Sequence, residues 1–179
     1  MKYLLIISIA VSIAASSQST RTSAAATPDF TVHGPDDTLA LKPDSAIKKF
    51  TLVDSILEYA NDFLGIKYRS GGKTPKGFDC SGFVMFVFKN FGYTTPPSSS
   101  AIKTAGKEVK RDSARPGDII YFTGTNSKTK RPGHVGIITE IKDGVIHFIH
   151  ASVNLGISVT NTEETYYKKR YLGIRRVLE

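Results

Sequence analysis

The sequence predicts an α+β domain, with helices in its first half and an antiparallel sheet in its second. Three observations lead there. Apolar residues recur at helical spacing between Ile47 and Leu64, and a second apolar run follows Cys80. From Asp118 onward the apolar residues gather into short segments separated by turn formers. Helices followed by strands, without regular alternation, imply segregated elements.

Taken in order, the chain opens with Lys2, the apolar run Tyr3 to Ala15, and the small, polar stretch Ser16 to Thr20. That order of charge, apolar core and small residues predicts a secretory signal peptide over residues 1–15. The run is shorter than the ~20 residues a spanning helix needs. A buried N-terminal helix is the alternative. No cysteine stands near the cut to carry a lipid anchor. Residues 16–45 are rich in Ser, Thr, Ala, Pro and Asp without periodicity, so they read as a flexible spacer, and His33 within it has no expected role. The domain proper is expected over residues 46–179. With Asp44 or Ser45 as N-cap, Ile47, Phe50, Val53, Ile56, Leu57, Ala60, Phe63 and Leu64 mark one amphipathic helix stopped by Gly65. The run Phe83 to Phe88 has strand-like composition, yet Asp79 before it and Asn90 to Gly92 after it favour a buried helix. A Pro/Ser loop at Pro96 to Ser100 follows, then candidate strands at Asp118 to Phe122, His134 to Ile141, Val145 to Ala151, Gly156 to Val159 and Tyr171 to Leu178.

With 179 residues, 40% of them apolar, the chain can bury one domain's core. Its net charge of +8 is uneven, with −2 on residues 16–45 and +9 on residues 46–179. A basic domain attracts polyanions, and an exported one meets wall polymer rather than nucleic acid. The lone cysteine, Cys80, has no partner for an intrachain disulfide, so it is either a small buried hydrophobe or a reactive thiol.

Cys80 falls in the first turn of the second helix, behind Asp79 as N-cap. The positive end of the helix dipole there favours the thiolate. A thiol nucleophile also needs an imidazole as base and later as acid. The candidates are His33, His134, His147 and His150. Reading Lys142-Asp143-Gly144 as a three-residue hairpin loop sets Ile141 opposite Val145, His134 opposite Ser152 and Gly136 opposite His150. His134 and His150 then share a face, one diagonal step of ~7–8 Å apart, while His147 opposite Thr139 points to the other. His134 is therefore the expected general base and acid, and His150 its orienter. A two-residue turn would reverse this assignment. His147-x-x-His150 lacks the glutamate and spacing of a zinc helix, so neither metal nor organic cofactor is expected.

Four motifs together, Phe78-Asp79-Cys80-Ser81-Gly82-Phe83-Val84, Arg115-Pro116-Gly117-Asp118-Ile119-Ile120-Tyr121-Phe122, Gly133-His134-Val135-Gly136-Ile137 and Phe148-Ile149-His150-Ala151-Ser152, resemble the NlpC-type cell-wall cysteine peptidases in content and order. The resemblance covers about residues 48 to 179. It implies a papain-like α+β fold and a Cys-His-His triad at Cys80, His134 and His150. Tyr68 matches a tyrosine lining the site, and Asp79 and Ser81 match positions that in some members help bind the substrate's free amine. For Asp79 the N-cap role is an equal explanation. The chain departs from the family at Pro96-Pro97-Ser98-Ser99, where members often carry an arginine. The expected function is an exported, monomeric peptidase of the periplasm or cell exterior, not inserted in the membrane once its signal is removed. It would hydrolyse D,L- or D,D-amide bonds in peptidoglycan stem peptides through a Cys80 thioester. A wall-polymer binding module using the basic surface is the main alternative, and an acyltransferase on the same scaffold is a third.

Overall fold

A computed structural model describes residues 50–179; the expected signal peptide, the expected spacer and the expected helix start at Asp44 or Ser45 lie outside them. Helix α1 spans Leu52–Asn61 and begins at Thr51, whose hydroxyl accepts the Asp54 N–H while the Asp54 carboxylate accepts the Thr51 N–H at 2.8 Å. This reciprocal cap sets the start, later than the apolar periodicity suggests. Phe50 accordingly falls outside the helix and is largely exposed. At the other end the chain leaves α1 after Asn61 and passes through turns to Gly65, which adopts a φ of +82°.

Two short strands, β1 (Lys73–Thr74) and β2 (Gly77–Phe78), form a ribbon, and Tyr68 bridges to Phe78 beside it. Helix α2, Cys80–Asn90, follows directly. It is helical despite its β-prone residues because tertiary burial decides: Phe83, Val84, Val87 and Phe88 are buried, and Phe63, Phe78, Phe83 and Phe86 pack ring against ring. Gly82 is required at its first turn, since a Cβ there would lie 2.0 Å from the Gly72 carbonyl oxygen.

Beyond α2, a 3-10 turn at Ser99–Thr104 and strand β3 (Lys107–Val109) occupy a stretch whose short, polar segments carry no periodic signal. Then come β4 (Ile119–Thr123), β5 (Pro132–Lys142), β6 (Val145–Ser152), β7 (Gly156–Asn161), a single helical turn α3 (Thr165–Lys168) and β8 (Tyr171–Arg176). The sheet is antiparallel in the order β3-β8-β4-β5-β6-β7. It meanders only from β4 to β7; β8 then returns to lie on the other side of β4. Both faces are apolar. Ile119, Tyr121, Val135, Ile137 and Ile149 pack with the residues of α1 and α2, and Ile120, Phe122, Ile138, Phe148 and Ile174 form a second core on the opposite face.

The β5–β6 hairpin differs from expectation in a way that bears on the site. Lys142 pairs with Val145, so the turn contains two residues, Asp143 and Gly144, both at positive φ. Taken alone, that turn would put His150 and His134 on opposite faces. However, the register shifts between Ile138 and Glu140, leaving Thr139 as a bulge. The two one-residue displacements cancel. Ile137 stands opposite Ile149, and Gly136 again lies beside His150, a Cβ built on it falling 3.1 Å from the His150 Cβ.

Candidate active site

Cys80 is the first residue of α2 and is 8% exposed, at the edge of the helix-side core. Asp79 caps the helix, its carboxylate accepting the Gly82 N–H at 2.6 Å and the Ser81 hydroxyl at 3.0 Å. Both bonds fall on Oδ1, so Ser81 is held to the helix start through Asp79. Tyr68 stands close to both, since the negative forms of Cys80 and Asp79 reinforce the upward shift that burial imposes on its phenol.

The thiol's environment departs from the expected thiolate. Burial pushes the Cys80 thiol up, and Asp79 pushes the same way. Backbone hydrogen bonds from Val135, Ser81 and Cys80 itself oppose this shift without cancelling it. The helix-terminus effect is therefore present, but desolvation outweighs it. The Val135 contact also places the sulfur against β5, one residue from His134.

At the neighbouring residue of β5, His134 Nε2 meets His150 Nδ1 at 2.9 Å, with the rings nearly perpendicular. His150 is 1% exposed and His134 half-buried. Burial holds His134 down at about 4, and burial together with its neighbour His134 holds His150 at about 3. At neutral pH the site rests with both imidazoles uncharged and a protonated thiol. His147, opposite Glu140, alternates to the other face and takes no part in the pair.

The structure thus assembles two groups: Cys80, Asp79, Ser81 and Tyr68 at the helix tip, and His134 with His150 on the sheet. The two groups adjoin along β5, through the neighbouring residues His134 and Val135. A cavity of about 440 Å³ opens beside His134, lined also by Ser152, Leu155, Glu164 and Tyr167. Tyr167 was not singled out from the sequence. It lies on the one-turn helix α3, and its hydroxyl stands 3.3 Å from His150 Nε2. A four-residue turn has too little periodicity to be read, and a tyrosine beside another tyrosine reads as packing.

Comparison with known proteins matches residues 65–176 to the NlpC/P60 family. The chain is 36% identical over 136 residues to the Escherichia coli K12 protein named murein DD-endopeptidase MepS/murein LD-carboxypeptidase, covering 75% of this chain and 68% of that one. It is 32% identical over 124 residues to the γ-D-glutamyl-L-lysine dipeptidyl-peptidase of Bacillus subtilis, covering 69% of this chain but 40% of that protein. Among solved structures, an NlpC/P60 family protein from Bacillus cereus superposes with a TM-score of 0.64 at 29% identity, covering 72% of this chain and 41% of its own. On the family match and these relatives, the chain belongs to the NlpC/P60 family, in its mixed helix and antiparallel-sheet fold.

Proposed function

We propose that this chain is a cysteine peptidase that hydrolyses amide bonds in peptidoglycan stem peptides, with Cys80 as nucleophile, His134 as base and acid, and His150 as its orienter. The observation that carries the reading is the meeting of a helix-tip thiol with β5 at Val135, next to a hydrogen-bonded histidine pair. Relatives named as a murein DD-endopeptidase and as a γ-D-glutamyl-L-lysine dipeptidyl-peptidase support the substrate class.

The chemistry follows from the neutral resting site. His134 Nε2 is engaged by His150, which leaves Nδ1 to take the thiol proton as sulfur attacks the scissile carbonyl. The developing oxyanion is met by the backbone N–H groups at the start of α2, with the Tyr68 hydroxyl beside them. The imidazolium then protonates the leaving amine. A thioester to Cys80 remains, and water deprotonated by His134 releases the acid and restores the thiol. Asp79 and Ser81 shape the substrate side of the helix tip. An exported chain, with residues 1–15 as signal and 16–45 as spacer, fits a wall substrate. Among the described residues no helix is long and apolar enough to cross a membrane.

Mass spectrometry of purified muropeptides incubated with wild type and with Cys80→Ala tests the reading. Wild type is expected to release new fragments whose masses identify the bond, D-alanyl or D-glutamyl, and Cys80→Ala to release none. Identical product profiles from the two proteins would overturn it.

A further inference from the structure

His150 is held on both sides. Its Nδ1 faces His134 Nε2 at 2.9 Å, and its Nε2 faces the Tyr167 hydroxyl at 3.3 Å. Building on the Cys80–His134 reading above, we propose that Tyr167 is a positioning residue whose hydroxyl oxygen accepts the Nε2 proton of His150 and so fixes the tautomers of both imidazoles. The proton count leaves one working arrangement. For His134 Nδ1 to offer a lone pair to the thiol, its own proton must sit on Nε2, where it donates to His150 Nδ1. His150 must then carry its proton on Nε2, and a buried N–H there needs an acceptor. Tyr167 is that acceptor. Burial raises its phenol further above its already high value, so it stays protonated and neutral through the working range.

Without the acceptor, His150 does better with its proton on Nδ1, donating to His134 Nε2. That pushes the His134 proton to Nδ1, where a donor rather than a base faces the sulfur. The placement of Tyr167 is built in. Arg170 donates to the carbonyls of Gly124, Thr125 and Tyr166 and lies over the Tyr166 ring at 3.8 Å, fastening α3 to the loop after β4. The Tyr167 ring also packs on Phe122 and Phe148 beneath the histidines.

Nitrogen-15 NMR of histidine-labelled wild type at pH 7 reads the tautomers directly and needs no variant. The expected result is Nε2–H on both His134 and His150; Nδ1–H on His150 overturns the proposal. In Tyr167→Phe, which keeps the ring packing, the His150 Nδ1–H form is expected to grow, with kcat lowered about 3- to 10-fold and KM unchanged, the size of one neutral hydrogen bond. Unchanged tautomers and kcat in that variant would also overturn it. Loss of activity in Cys80→Ala alongside an unaffected Tyr167→Phe removes the role of Tyr167 and leaves the peptidase reading standing, whereas full activity in Cys80→Ala removes that reading itself.

Discussion

At the scale of single residues, the candidate site rests with neutral groups. A thiol raised by burial and an imidazole lowered by burial do not exchange a proton at rest, so in the proposed mechanism His134 acts as a base during attack rather than as one half of a standing ion pair. This fixes the sense of the pH dependence. The form of His134 that the proposed mechanism uses is the uncharged one, and protonation removes it only as pH falls toward about 4, well below the ordinary imidazole value near 6.5. The kcat/KM profile on a soluble muropeptide is accordingly expected to hold its plateau from neutrality down through pH 5.5 and then decline. An acid limb centred near 6.5 would mean that the imidazole is solvated, contrary to the burial described. The sequence could nominate Cys80, His134 and His150 because a nucleophile and its base are tied to residue type and motif, and the structure pairs the two histidines as expected. The protonation states were not legible there, because they depend on how much water each group loses on folding.

Among the elements, the hairpin is the instructive case. The face shared by His134 and His150 follows from two displacements, a shorter turn and the Thr139 bulge, and only the loop count could be attempted from sequence. A bulge has no composition of its own in a strand rich in β-branched residues, so the expected pairing of Gly136 with His150 rested on a loop count the structure does not have. The helices divide in the same way. Asp79 as the cap of α2 was readable, whereas the capping box at Thr51 and Asp54 was masked by an apolar period running past it. Strand β8 shows what Arg115-Pro116-Gly117-Asp118 contributes. The Asp118 carboxylate, 1% exposed, binds Arg176 of β8 through two contacts of 2.7 Å and also accepts the Arg115 N–H. It ties the entrance of β4 to the end of β8. Asp118→Ala would leave the partly buried Arg176 guanidinium with only the Ser113 carbonyl and no opposing charge, at a cost of about 3 kcal/mol. Urea denaturation is expected to show a lower midpoint with the slope unchanged; a midpoint within error of wild type would reduce the pair to a surface contact.

For the whole molecule, a sheet cored on both faces gives the histidine pair a structural consequence apart from catalysis. His134 and His150 sit among Phe122, Phe148 and Tyr167, so the fold takes them in neutral while the unfolded chain protonates them near pH 6.5. Their folded values, about 4 and about 3, are depressed, so the unfolded state binds more protons between those values and 6.5. Stability is then fully present above pH 6.5 and declines as pH falls through that window. At pH 5 each histidine removes about 1 to 2 kcal/mol, which for a domain of this size lowers Tm by about 5 to 15 °C in total. Thermal melts at pH 7.5 and pH 5.0 measure the drop, and the His134→Gln, His150→Gln double variant identifies its source. The double variant lacks both titrating groups and should melt at nearly the same temperature at the two pH values. Equal melting of wild type across that range would contradict the neutral burial of the pair. A drop of full size persisting in the double variant would instead place the acid sensitivity elsewhere in the molecule. Because the same uncharged imidazoles support the fold and, in the proposed mechanism, the attack on substrate, activity and stability should decline over overlapping acidic ranges. Melts recorded beside the rate profile separate loss of the base from loss of the fold.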